Sequence, residues 1–458
     1  MSQSVSNARN FSSLIQHYLN LPSTSSESTI RALEDCKFLA ELNIEFISQA
    51  LNTVNSTEID DDSDGINDLL TLISATLTNQ ETCVEGLRLT DSASGVLDEL
   101  LTPIGNGSKF YSTSLALFCD GWVPKGIRGK ILSQIDLPFL ENITTRGIFV
   151  VNQDGNGDFT TISDAVNAAA NNTVSSDGYY VIYVTTGIYN EYVSIPKYKK
   201  YLMMIGDGID QTVITGNRSV VDGWTTFNSA TFAVVAQGFV AINITFQNTA
   251  GAIKHQAVAL RNGADLSAFY TCRFEGYQDT LYTHSLRQFY RDCEIYGTID
   301  YIFGNAAVVL QNCQIYSRKP LSGQFIAVTA QGRTDPNQNT GTSIQNCSIV
   351  AAEDLGSTKS YLGRPWKEYS RVVVMQSFID GLIDPAGWSV WSGDFALSTL
   401  YYAEFDNRGA GSETSGRVTW PGFHVITATD AVAFTVSNFT QGDFWLPATG
   451  VPYVGGLM

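Results

Sequence analysis

Thr271-Cys272-Arg273-Phe274, Asp292-Cys293-Glu294-Ile295, Asn312-Cys313-Gln314-Ile315 and Asn346-Cys347-Ser348-Ile349 are four copies of one short pattern: a polar residue, a cysteine, a second variable residue and a large apolar one. Ile242-Asn243-Ile244 and Ser377-Phe378-Ile379 fit as looser copies. The cysteines are spaced by 21, 20 and 34 residues. A period near 20 with one strand per copy is the mark of a solenoid, because a lone strand cannot bury its apolar side and must stack on the next coil. The longer interval holds residues 324–341, which read as a loop inserted on one face. The pattern predicts an all-β parallel β-helix. An antiparallel sandwich is the alternative that pattern alone leaves open.

Upstream of the repeat the period changes. From residue 26 to about 120 apolar residues recur at steps of three and four: Leu33, Cys36, Ala40, Ile44, Ile47 and Leu51, then Ile66, Leu69, Ile73 and Leu77. A third stretch runs from Ser94 through Leu101 and resumes near Ser112. This predicts a small α-helical bundle. No helix is assigned before residue 26. Residues 121–147, with Gly, Pro and basic residues and no period, read as a linker. Residues 148–458 form the β unit, interrupted early by one helix at 161–170. The domains are therefore 1–120, 121–147 and 148–458.

The formal charge of −18 excludes nucleic acid as a natural partner. It is split unevenly: residues 1–141 carry 19 acids and 8 bases, a net of −11, which leaves −7 for the rest. No stretch has the length of a membrane span, and the first 25 residues show no signal-type apolar core. Asn-x-Ser/Thr sites at Asn55, Asn142, Asn171, Asn217, Asn243 and Asn438 suit a secreted glycoprotein. The four repeat cysteines admit two readings. Cys272–Cys293 and Cys313–Cys347 bridges are expected from their matching places in consecutive coils. A stack of reduced thiols inside the coil is the alternative.

Two segments draw the chemistry: Gly276-Tyr277-Gln278-Asp279-Thr280-Leu281-Tyr282, and residues 297–305 with Asp300 at the centre. Asp279 and Asp300 are one repeat apart, so stacking places them on adjacent coils, roughly 5 Å from each other. Two carboxylates so close cannot easily both ionise, and one pKa rises. That separates a nucleophile from an acid within one residue type. Gln278 and Gln256 carry amide donors for an oxyanion. Arg364, in Leu362-Gly363-Arg364-Pro365-Trp366, is placed to orient one Asp by a bidentate contact. Trp366, Phe303, Tyr282 and Trp391 could floor a sugar site. Taken singly each has a plain structural reading: a turn aspartate, a structural arginine, core aromatics. The four histidines lack metal-ligand spacing, and no Gly-x-Ser-x-Gly elbow is present.

The sequence around these residues resembles the pectin methylesterase (pectinesterase) family. The carrying stretches are Gly187-Ile188-Tyr189-Asn190-Glu191, Lys254-His255-Gln256-Ala257-Val258-Ala259-Leu260, Tyr277-Gln278-Asp279-Thr280-Leu281, residues 297–305, Thr329-Ala330-Gln331-Gly332-Arg333-Thr334-Asp335-Pro336, Leu362-Gly363-Arg364-Pro365-Trp366, Trp388, and Trp445-Leu446-Pro447. The resemblance implies a right-handed parallel β-helix that hydrolyses methyl esters of homogalacturonan, with no cofactor and no metal. It implies Asp300 as nucleophile, Asp279 as acid and base, Gln278 at the oxyanion with Gln256 nearby, and Arg364 orienting Asp300. Thr226, Gln256, Phe303, Arg364 and Trp366 are implied to contact substrate. A β-helix glycoside hydrolase, which also uses two carboxylates, is the rival; methanol release against new reducing ends separates the two.

Ala32-Leu33-Glu34-Asp35-Cys36 and Leu77-Thr78-Asn79-Gln80-Glu81-Thr82-Cys83 resemble the inhibitor-like pro-region of plant members. That resemblance implies a Cys36–Cys83 bridge, leaving Cys119 free. The family's leading helical hairpin is not recognised here, so a truncated bundle with weak restraint of the catalytic unit is expected. The implied partners are pectin and an inhibitor protein or the chain's own pro-region. A monomer with no membrane span, secreted to the cell wall, is expected.

Overall fold

Strands a few residues long follow one another in threes. Ser267–Tyr270, Arg273–Glu275 and Leu281–Thr283 make one coil, and Arg287–Arg291, Glu294–Gly297 and Ile299–Gly304 the next. Corresponding strands pair in parallel from coil to coil, giving sheets of 11, 8 and 7 strands. This is the predicted parallel β-helix, and the sandwich alternative falls. The computed structural model describes residues 2–21, 26–55, 63–122 and 143–458.

The repeat met in the sequence is the corner between the 11- and 8-stranded sheets. Its first residue turns the chain through the left-handed region: Asn243, Thr271, Asp292, Asn312, Asn346 and Gln376 have φ between 50 and 60°, save Thr271 at 48°. Asn and Asp tolerate that region better than other L-residues because their short side chains bond locally. Here they bond along the stack: Thr271 donates to Asn243, Asn312 to Asp292, and Asn346 to Asn312.

The next position points inward. Cys272, Cys293, Cys313 and Cys347 are fully buried and unbridged, which overturns the expected disulfides. Consecutive coils bring the backbones within range. But residues at one place in a solenoid project side by side, and a bridge needs Cβ vectors that converge. The thiols instead lie against backbone: Cys293 Sγ contacts Phe269 O at 3.4 Å, and Cys347 Sγ accepts from Cys313 N at 3.3 Å. Phe246, Phe269, Phe274 and Tyr290 stack beside them, with Phe269 and Tyr290 parallel at 4.9 Å.

Both ends are closed. A helix at Ile162–Ala168 buries Ile162, Ala165 and Val166 against the first coils. Its amino end is held by Glu191, whose carboxylate accepts from the Ile162 and Ser163 N–H groups at 2.9 and 3.1 Å. Gly187 to Glu191 is thus a capping motif rather than part of a site. At the other end Trp388 is buried and donates to Glu404, which also pairs with Arg417 at 2.7 Å. The tail, with Trp445 and Leu446, packs on the outside of the 11-stranded sheet.

Among the described residues the amino-terminal unit has four α-helices, α1 (Ser2–Leu19), α2 (Glu27–Asn55), α3 (Ser63–Arg88) and α4 (Ser94–Trp122). Two readings are corrected. Helix α1 occupies residues to which none was assigned, because its apolar positions Val5, Ala8, Phe11 and Ile15 are separated by polar residues that mask the stripe. Helix α4 runs unbroken through Pro103, where two helical stretches were expected. Cys36 and Cys83 form a disulfide joining α2 to α3. The side chain of Cys119 and most of the expected linker lie outside the described residues. The first β-helix strand, Thr145–Val151, starts three residues before the expected boundary. No helix among the described residues is long and apolar enough to cross a membrane.

Candidate active site

The seven-stranded sheet carries the site. Its strands Leu281–Thr283 and Ile299–Gly304 pair with Leu281 opposite Ile302, so Asp279 and Asp300 fall in register one coil apart. Asp279 N–H donates to Ile299 O at 3.1 Å, tying the two segments. Both aspartates have left-handed backbone, φ 64° and 54°. Such conformations cost free energy and are held by their surroundings, and they gather at functional sites. Gly304 closes the second segment at φ 132°, where a Cβ would lie 2.0 Å from Thr283 O; only glycine fits.

Arg364 follows strand Ser360–Gly363 and reaches back two strands to Asp300. Its Nε and Nη2 donate to Oδ1 and Oδ2 at 2.8 and 2.7 Å, the bidentate contact expected from the sequence. The guanidinium lies 4.2 Å from the Trp391 ring. Both carboxyls are buried. Burial and the Asp300 charge push Asp279 well above the usual carboxylate range, against the more distant Arg364. Burial also raises Asp300, but the two Arg364 hydrogen bonds and its charge oppose the rise. The pair therefore divides: Asp300 is the readier anion and Asp279 the retained acid.

These groups line a cavity of about 800 Å³ together with Thr226, Gln256, Gln278, Tyr282, Phe303, Trp366 and Trp391. Every predicted site residue is thus brought together. Tyr282 and Phe303 stack at 4.1 Å, and Trp366 meets both edge-on.

Sequence reading missed the other wall, which belongs to the helical unit. Asp35, Thr82, Glu85 and Leu89 line the same cavity. Trp366 Nε1 donates to Glu85 at 3.0 Å, and Lys367 Nζ lies 2.8 Å from Glu81 and 3.3 Å from Glu85. Thr82 meets His284 at 3.0 Å, Asn305 donates to Thr78, Gln338 to Ser74 O, and Asn339 to Thr71. The α3 residues 71, 74, 78, 82 and 85 make one helical stripe, polar rather than apolar, and that was the overlooked signal. Phe11, Leu33 and Leu87 belong to one apolar cluster with Phe227, Val258, Tyr282 and Phe303.

Comparison with known proteins places this arrangement. Residues 148–443 match the pectinesterase family model. The chain belongs to the pectinesterase family. Residues 1–117 match the plant invertase/pectin methylesterase inhibitor family. A probable pectinesterase/pectinesterase inhibitor 20 of Arabidopsis thaliana is 54% identical over 496 residues, covering 100% of this chain and 88% of that protein. Pectinesterase 2 of Citrus sinensis is 49% identical, covering 93% of this chain and 82% of the relative. Pectin methylesterase from carrot superposes with a TM-score of 0.66 at 56% identity, over 71% of this chain and 100% of the other. The pectinesterase fold here is thus a carboxylic ester hydrolase that de-esterifies pectin, with an inhibitor-like helical unit ahead of it, and the glycosidase reading is set aside.

Proposed function

We propose that the aspartate pair performs the hydrolysis by covalent catalysis. Asp300 attacks the methyl-ester carbonyl carbon at C6 of galacturonate. The developing oxyanion takes hydrogen bonds from the Gln278 amide, with Gln256 beside it. The tetrahedral intermediate collapses to an Asp300 acyl-enzyme, and methoxide leaves with the Asp279 proton as methanol. Asp279, now a base, takes a proton from water as its oxygen attacks the acyl carbon. Pectate is released, Asp300 is free, and Asp279 is protonated again. Arg364 keeps Asp300 ionised and aimed; Thr226, Phe303 and Trp366 seat the sugars.

The observation that carries this reading is the bidentate Arg364–Asp300 contact with Asp279 one coil away in a shared cavity. Asp300→Asn and Asp279→Asn are each expected to cut methanol release at least about a thousandfold with the fold unchanged by circular dichroism, as loss of a nucleophile or its acid does. Near-native methanol release from folded Asp300→Asn would refute it.

The helical unit covers the groove, and its Glu85 holds the Trp366 indole N–H. This supports the chain's own amino-terminal unit as an inhibitory partner and speaks against the weak restraint expected from sequence. Local cations answer its negative charge: Lys367, Lys197 with Glu45, and Arg287 with Asp68 at 2.7 Å. A monomer acting on pectin in the cell wall after secretion completes the reading.

A further inference from the structure

The seated helical unit roofs the groove without filling it. Its polar contacts stand around the aspartate pair, not on it. Asp35 of α2 is attracted by Arg261 and accepts hydrogen bonds from Thr225 Oγ1 and Asn228 Nδ2. Glu85 of α3 holds Trp366 and Lys367. The pairs Lys197–Glu45 and Arg287–Asp68 fasten the unit further out. Among the described residues, Arg364 supplies the hydrogen bonds to the Asp300 carboxylate, and no side chain of the unit bonds to Asp279 or Asp300.

Between this roof and the aspartates the cavity of about 800 Å³ remains. Pockets of roughly 300–1,000 Å³ bury a drug-sized ligand. The cavity is not sealed, because Leu89, Val221 and Trp391 line it and are 64, 54 and 37% exposed. Val221 lies ahead of strand Phe232–Val234, next to one end of the seven-stranded sheet. Trp391 follows Trp388, which bridges to Gly363 of the strand at the other end. The cavity thus opens to solvent toward both ends of the sheet. Its roof is thin above the site: Gly86 of α3 lines the cavity, and a Cβ there would meet nothing within 4 Å.

We propose that the full chain, with its helical unit seated, is an esterase for short uronate methyl esters. One or two sugar residues pass through an open end of the cavity and reach Asp300. The interior of a pectin chain must be laid into the groove from above, where the helices lie. The chemistry is that of the open enzyme: ester and water give a uronate carboxylate and methanol. The unit is then a size filter and not a plug. The inference rests on the aspartate mechanism and on the inhibitory role proposed for the unit.

The test measures methanol release by the full chain from methyl-esterified digalacturonate and from highly methylated pectin. Glu45→Lys/Asp68→Lys sets like charges against Lys197 and Arg287 and loosens the seat without changing the β-helix; hydrogen exchange in α3 reports the loosening. This variant is expected to raise release from pectin about tenfold, through two lost ion pairs and new repulsion, and to leave release from the digalacturonate ester within about twofold. Gly86→Trp puts an indole into the cavity. It is expected to cut short-ester hydrolysis about tenfold or more while pectin stays repressed, and combination with Glu45→Lys/Asp68→Lys is expected to restore it. An equal gain on both substrates in the charge variant would show that short esters also wait for the open form, and would overturn the inference. So would unchanged short-ester hydrolysis in Gly86→Trp with pectin repressed. Should Gly86→Trp lift the unit instead, its pectin rate rises, and a parallel rise on the short ester would again overturn the inference. The underlying readings fail differently. Methanol release that survives Asp300→Asn refutes the aspartate mechanism, and an unchanged pectin rate in a loosened charge variant refutes the inhibitory role and the filter with it.

Discussion

Arg364 acts on Asp300 in two ways, and they can be measured apart. It places the carboxylate through two hydrogen bonds and holds its charge against burial. Without it, Asp300 would bind its proton more tightly. The anion needed for the proposed attack would then form only at higher pH. Arg364→Gln is therefore expected to move the acid limb of the pH–rate profile upward by about one unit or more, alongside a fall in kcat of about a hundredfold from lost aim. A drop in kcat with an unmoved acid limb would show positioning alone. Asp279 and Asp300 were legible in the sequence because one repeat separates them. Arg364 was legible only through its motif, 64 residues downstream, since nothing in spacing says which coil's end will fold back. Arg261 and Asp35 were not legible at all: an arginine within an apolar strand and an aspartate within a helix look like ordinary residues until two domains meet.

At the scale of elements, the corner ladder and the thiol stack are one device seen from outside and inside. Asn312 supplies a left-handed turn residue and a donor to Asp292. Asn312→Ala should cost about 2 kcal/mol, from the left-handed penalty and the lost bond, whereas Asn312→Gly should cost less because glycine adopts that φ freely. Urea midpoints of the two variants check this, and equal midpoints would mean that the ladder bond alone matters. Just inside the corner, burial pushes the Cys272 thiol up to about 12. The four β-helix thiols are all fully buried, so they should resist a thiol reagent in the native protein and all react once it is unfolded without reductant; burial bars the reagent even at Cys313, where bonds from Cys293 and Cys347 favour the thiolate. The sequence showed that these cysteines recur with the coil but not how they point. Period is a property of the chain, while a disulfide depends on the angle between Cβ vectors. Helix α1 was hidden for a related reason, its buried face being small and interrupted, and α4 because a proline inside a helix reads as a break.

For the whole molecule, the inhibitory role proposed for the helical unit turns on when that unit leaves the groove, and its buried acids give an answer with a sign. Asp35, facing Arg261, Thr225, Asn228 and Glu34, is pushed up to about 7, chiefly by burial. Glu85, facing Lys367, Trp366 and Glu81, is also raised by burial. Freed into water, both return toward ordinary carboxylate values near 4. The seated state thus binds more protons than the open state from about pH 4 upward, and seating weakens as pH rises through about 7. His284, beside Thr82 and Arg261, opposes this. Burial lowers it to about 3, so if opening restores it near 6.5 the open state gains a proton below that pH. Two acids against one histidine leave a net weakening with rising pH, and above about 6.5 Asp35 acts without that opposition. Each unmatched proton is worth at most about tenfold in the seating equilibrium per pH unit. Asp35→Asn keeps the shape of the protonated acid and cannot ionise. The wild-type full chain should therefore gain methanol release between pH 6 and 8 beyond what Asp35→Asn gains, with the variant staying repressed at pH 8. Parallel profiles for the two proteins would show that Asp35 does not time the opening, and the pH response would then belong to the Asp279–Asp300 pair alone.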